Sequence, residues 1–149
     1  MLSQPVVDLL AALGTGSKKE FYKVMGAADF MAAAEDLKGT KNKRVAYVIP
    51  LADKAEKNSL VRPGVSQRVT ELFGVVMAIE GLRDVRGDAV NAEIEAKRKT
   101  VINALQGFVP EDGYEPVQYA GGRLLKFDQN IKVIFWQLEF STAYLERKV

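Results

Sequence analysis

Two stretches of alternating residues, Gln67 to Glu80 and Lys132 to Tyr144, constrain this chain more than any other feature in it. In the first, Val69, Glu71, Phe73, Val75, Met77 and Ile79 share one face, with Thr70, Leu72, Gly74, Val76 and Ala78 on the other. In the second, Ile134, Trp136, Leu138 and Phe140 oppose Val133, Phe135, Gln137 and Glu139. Neighbouring side chains of a strand point to opposite faces, so both stretches read as long strands. Strands of this length carry more backbone edge than a domain of 149 residues normally leaves unpaired. Toward its C-terminal half the first strand is apolar on both faces. Both faces must then be covered, one by helices and the other by the chain itself or by a neighbouring subunit.

The chain contains no histidine and no cysteine. It thus lacks the two residue types most used for acid-base, nucleophilic and soft-metal chemistry, and a scaffold is expected rather than an enzyme. Disulfide frameworks and thiolate zinc sites are excluded. No cofactor is expected. Gly14-Thr15-Gly16-Ser17-Lys18 has neither the spacing nor the Gly-Lys-Ser/Thr ending of a phosphate loop and reads as a turn after a helix. The carboxylate pairs Glu35 with Asp36 and Glu111 with Asp112 have no companion ligand at useful spacing, so they read as solvent-facing turns rather than a metal site. Basic residues cluster from Lys38 to Arg44 without an interleaved aromatic to stack on bases, and the formal net charge is only +2; a solvated loop is expected there, not a nucleic-acid surface. Asp8 interrupts the apolar N-terminal stretch, and no positive charge precedes it, which disfavours a secretory signal. The purest apolar run, Val75 to Ile79, is far short of the ~20 residues a membrane-spanning helix needs, so no membrane partner is expected.

Along the rest of the chain, Pro5 suits a first helical turn, with Val6, Leu9, Leu10 and Leu13 on one stripe. Phe21 to Gly26 carries no clear period. Ala27 to Leu37 is rich in helix formers and is closed by Gly39, whereas Val45 to Ile49 reads as a short strand ended by Pro50. Leu51 to Val65 reads as a long polar connection, either a functional arm or a floppy hairpin loop. Asp88 can cap a helix whose stripe is Val90, Ile94, Val101 and Leu105, with Glu93 and Glu95 four residues before Lys97 and Lys99. Gly107 stops that helix and Pro110 forbids its resumption. Glu115 to Tyr119 and Leu124 to Phe127 read as two strands joined by a tight turn at Gly121 and Gly122. The sum is a single α+β domain over residues 1–149: a mainly antiparallel sheet of about five strands with helices packed on one face.

The ordered set YVIP (Tyr47 to Pro50), Asn58, Gln67, FGVV (Phe73 to Val76), Arg86-Gly87, ALQGFVP (Ala104 to Pro110) and YAGGRLLKFD (Tyr119 to Asp128) resembles the phage tail terminator-like proteins of long-tailed phages and prophages. The resemblance runs from about Ala27 to Phe140. A position that often reads Gly-Trp in that family is Gly107-Phe108 here, which keeps an aromatic. Its matching residues are fold markers, among them Gly87, Gly107, Pro110, Gly121 and Gly122, and it carries over no catalytic residue. It implies a ring-forming α+β subunit, a homohexamer on the head-proximal end of the tail tube, whose partners are itself, the tail tube protein and a head or neck connector. DNA would only pass through the lumen. It also implies a place in the virion tail, with assembly in the bacterial host cytoplasm. A cyclic interface would cover the exposed strand edges and the second apolar face. Lys54, Lys57, Asn58, Arg62 and Gln67 are the candidate subunit or tube interface. The alternatives are another head-tail connector or tube protein and, from a different class, a small-ligand binding domain or an enzyme.

Overall fold

The computed structural model describes residues 3–14, 20–33, 37–38, 44–61, 63–80 and 88–148. Its elements run α1 (Ser3–Ala11), β1 (Lys23–Met25), α2 (Ala27–Met31), β2 (Val45–Ala55), β3 (Val65–Glu80), α3 (Asp88–Leu105), β4 (Gln118–Asp128) and β5 (Val133–Lys148). The five strands form one sheet in the order β1-β2-β3-β5-β4. Only the β1–β2 pair is parallel; the other three are antiparallel. The two alternating stretches are the sheet's spine, since β3 and β5 pair along their whole length from Val65↔Lys148 to Glu80↔Val133.

The period-two assignment of faces holds. Phe73, Val75, Met77 and Ile79 of β3 join Leu138 and Phe140 of β5 in one buried cluster, completed by Val6 and Leu10 of α1 and Val101 and Leu105 of α3. Of the stripes foreseen for α1 and α3, these four residues are buried and Leu9, Leu13 and Ile94 pack partly buried against them, while the Val90 side chain lies outside the described ones. Each fully buried Leu or Val there contributes roughly 1.5–3 kcal/mol relative to exposure. Val76 and Ala78 belong to a second cluster on the opposite face with Tyr47, Val133 and Phe135, covered by Ala33 and Leu37. Phe30 of α2 packs on this face, its ring 5.3 Å from Tyr47 and 5.8 Å from Phe135. At its buried end the second apolar face is thus covered by the chain itself and not by a neighbouring subunit. Only α1 and α3 obey the expectation of helices on one face.

Three expected boundaries are corrected. Pro50 does not end β2, which continues to Ala55 with a register shift between Pro50 and Ala52. β1 pairs only Val45 to Tyr47, so beyond that point β2 has a free edge, where a missing N–H costs no ladder bond. Gly121 and Gly122 do not make a tight turn: they lie inside one continuous strand, β4, whose register shifts between Tyr119 and Gly121 and between Leu124 and Lys126. Gly121, at φ 144°, sits at the first of these bulges, and a Cβ on Gly122 would lie 2.9 Å from the Tyr119 hydroxyl. Finally, the unassigned Phe21 to Gly26 contains β1.

Gly107 ends α3 as expected, at φ 87°, and its N–H donates to Val117 O at 2.8 Å. Lys97 departs from the helix-face pairing expected with Glu93. It is 5% exposed, its Nζ donates to Glu20 Oε1 at 3.3 Å, and it lies 5.1 Å from the Phe21 ring centre. This side chain ties α3 to the segment that leads into β1. Gly87, Gly39, Glu35 with Asp36, residues 15–18 of the glycine-rich turn and most of the basic run 38–44 lie outside the described residues.

Candidate assembly interface

The segment expected to be a loop from Leu51 to Val65 begins and ends as strand, Leu51–Ala55 belonging to β2 and Val65 opening β3. β2 and β3 stay paired through Ala55↔Val69, and the ladder continues with Glu56 N–H to Arg68 O at 2.8 Å and Ser59 N–H to Ser66 O at 2.9 Å. β4 leaves the sheet at its Gln118↔Ser141 pair, whereas β5 runs on beside β3 to Lys148. Beyond that pair the sheet narrows to three strands, β2, β3 and β5, forming an arm whose side chains from Leu51 to Val61 are all exposed.

Within the arm the five candidate residues divide. Asn58 Oδ1 accepts from Ser66 N–H at 2.9 Å and Leu60 N–H at 3.1 Å, and its Nδ2 donates to Gly64 O at 3.0 Å. Gln67 Nε2 donates to Glu56 O at 2.9 Å. Both amides are spent inside the chain and fix the shape of the tip. Lys54 and Lys57 are exposed and make no hydrogen bond or ion pair among the described residues, and Arg62 lies outside those residues. The tip they flank is apolar: Leu60, Val61 and Val65 are exposed, Val61 fully so, and Leu145 is exposed on the neighbouring strand.

Residues that the sequence reading did not single out brace the root of the arm. Arg68 of β3 forks onto Glu115, with Nε to Oε1 at 3.1 Å and Nη2 to Oε2 at 2.5 Å, while Nη1 reaches Glu56 Oε1 at 3.2 Å and Thr70 Oγ1 at 3.2 Å. Hydrogen bonding to Glu115 raises the Arg68 pKa, and the same bond holds the Glu115 carboxyl below its usual range. Glu115 is itself sewn to β5, its N–H donating to Ala143 O at 2.7 Å and its carbonyl accepting from Thr142 Oγ1 at 2.6 Å. One guanidinium thus ties together β2, β3 and the segment before β4. Its sequence signal was weak, because an arginine within an alternating strand looks like any solvent-facing residue.

On the other face of the root, the one shared with Phe73 and Val75, lie Asp53, Glu71, Tyr114 and Tyr144. The tyrosine rings are 5.1 Å apart and the Tyr114 hydroxyl donates to Glu71 Oε1 at 3.5 Å. Partial burial raises the Glu71 carboxyl, opposed by that hydrogen bond and reinforced by the charges of Asp53 and Glu111. Partial burial, with the Glu71 charge, pushes Tyr114 up to about 12, and burial likewise raises Tyr144. The arm therefore carries Lys57, Arg147, Lys148 and exposed apolar side chains toward its tip, with Glu56 and Glu146 below them, and carboxylates with tyrosines at its root, where Lys54 adjoins Asp53. Among the described residues no group of three potential metal ligands converges, and no helix is long and apolar enough to cross a membrane.

No curated protein matches the chain. Among solved structures, a chain from the virion of a native gene transfer agent particle is similar at a TM-score of 0.40 and 14% identity, over 68% of this chain and 69% of that one. The model of the phage tail terminator protein family matches residues 4–148, from α1 to the end of β5, and the chain belongs to that family.

Proposed function

We propose that this protein, a structural component of a phage tail by its family, forms a hexameric ring on the head-proximal end of the tail tube, stops tube elongation there and offers the surface to which the head or neck attaches. The family match over residues 4–148 carries this reading. A hexamer is the ring size implied by the family resemblance. The ordered arm supports it: a projection held by Asn58 and Arg68 presents contact residues at a fixed angle, and little conformational entropy is lost when they dock. Partners on this reading are further copies of the chain, the tail tube protein and a head or neck connector, with DNA only passing through the lumen, in a virion tail assembled in the host cytoplasm. No catalytic step is assigned to any residue.

The test is the native mass by light scattering, alone and beside polymerising tail tube protein from the same genome. A hexamer, or a monomer that becomes a ring on tube ends and halts their growth, is the expected result. A strict monomer indifferent to tubes would overturn the reading. Replacing residues 56–64 by a short turn separates folding from assembly: the domain should melt at nearly the same temperature, because neither buried cluster includes these residues, but should no longer assemble.

A further inference from the structure

Resting on the ring reading, we infer that the arm tip of one copy docks on the arm root of the next, the tip's lysines and apolar side chains meeting the carboxylate and tyrosine face of a second copy of this chain.

The first support is charge. Lys57 on the β2 side and Arg147 and Lys148 at the end of β5 are exposed and have no ion-pair partner among the described residues, whereas Lys54, paired with Thr70, adjoins the root. The complement of the tip cations lies at the root, where Asp53 pairs with Glu71 across the β2–β3 ladder and the charges of Asp53 and Glu111 crowd Glu71, adding to the partial burial that chiefly raises its carboxyl. An incoming ammonium group would relieve that crowding.

The second support is reach. β3 is unbroken from Val65 to Glu80, so tip and root are held about 20 Å apart along a rigid ladder, taking six residues of strand between Val65 and Glu71. Ser59 and Asn58 bond to Ser66 and keep the tip from folding back. The two complementary surfaces of one arm cannot meet each other and can be matched only between molecules.

The third support is apolar exposure on an ordered surface. Val61, Leu60 and Val65 are exposed beside Asn58, whose amide holds Leu60, Gly64 and Ser66, and Tyr114 and Tyr144 offer a paired aromatic surface at the root. Because tip and root differ, the contact can run head-to-tail, and on the ring reading each copy's tip meets a different neighbour from the one that meets its root, so that repetition closes a ring; a reciprocal exchange between two copies would instead stop covalent cross-linking at dimers.

Two experiments test it. The chain has no native cysteine, so Val61→Cys with Asp112→Cys, next to Glu111, can be joined by a short bis-maleimide, alone at high concentration and on capped tube ends. A ladder of covalent multimers is expected, with neither single variant giving it. In the second, a tip-reversed chain (Lys57→Glu, Lys148→Glu) and a root-reversed chain (Asp53→Lys, Glu111→Lys) should each lose assembly by about tenfold or more, a loss equivalent to about 1.4 kcal/mol. Mixed together they should recover it, because every tip then faces a root of opposite sign. Absence of the ladder on tubes that are still capped overturns the contact while leaving the terminator reading intact, and so does cross-linking of Val61→Cys to the tube protein instead. A ladder without capping preserves the contact and overturns the terminator reading. A wild-type chain that stays monomeric both alone and beside tubes overturns both.

Discussion

At the scale of single residues, Glu71 gives the sharpest expectation. Its carboxyl is raised by partial burial, so the folded chain binds that proton more tightly than the unfolded chain does. Folding stability therefore falls as pH rises from the ordinary carboxylate range through the raised value, and the full penalty stands at neutral pH. Glu71→Gln should stabilise the isolated chain at pH 7 by no more than about 0.5 kcal/mol, given the solvent access of the site. Thermal melts across pH would check this; a gain that persists below the usual carboxylate range would show that charge is not its source. Lys97 shows a different limit of reading. Its position four residues after Glu93 suggested a helix-surface pair, but the tertiary fold buries it and sets its ammonium group over the Phe21 ring and against Glu20. No local spacing encodes a partner that is 77 residues away. Lys97→Ala should cost about 1–3 kcal/mol in urea unfolding, since it removes a charge-assisted bond from a buried site.

At the scale of elements, the existence and facing of β3, β5, α1 and α3 were legible because each carries a hydrophobic period over many residues. Boundaries were not, where a strand lost its apolar signal while keeping its backbone partner. Leu51–Ala55 of β2 and Leu145–Lys148 of β5 are polar or exposed, yet both stay in the ladder because β3 between them is continuous. The double glycine of β4 misled for a related reason: glycine permits a bulge as readily as a turn, and only the register against β5 distinguishes them. Among the interface candidates, Asn58 and Gln67 have amides that organise the arm from within, a role that their polarity alone did not signal. Arg68→Ala should accordingly leave the melting temperature of the domain nearly unchanged while loosening the arm, seen as faster amide exchange over residues 56–61 and weaker assembly. Arg68→Lys keeps the charge but not the fork onto Glu115, and should restore less than half of the lost protection. If alanine had no effect on exchange, the guanidinium would not be what braces the root.

At the scale of the whole molecule, two of the edges that the described part of the sheet presents, β2 beyond Tyr47 and β4, are blunted. β2 beyond Tyr47 carries Pro50, a register shift beside it and Lys54; β4 carries two register shifts, a glycine at φ 144° and Lys126. Proline, bulges and lysine are the features that keep an edge from accepting another strand. Continuing the sheet from one copy to the next through either of these edges would need a straight, unbroken ladder there. On the ring proposal, closure is accordingly made by side chains of the arm rather than along these two edges. Amide exchange on assembled and unassembled protein separates the two architectures. Peptides across Gln118–Asp128 should exchange at the same rate in both states, while peptides spanning 56–61 and 141–148 slow on assembly, because docking buries the tip and the root without adding ladder bonds to β4. Slowed exchange along β4 with an unchanged arm would mean that the subunits join strand to strand despite the bulges, and that the arm serves the tube or the head instead.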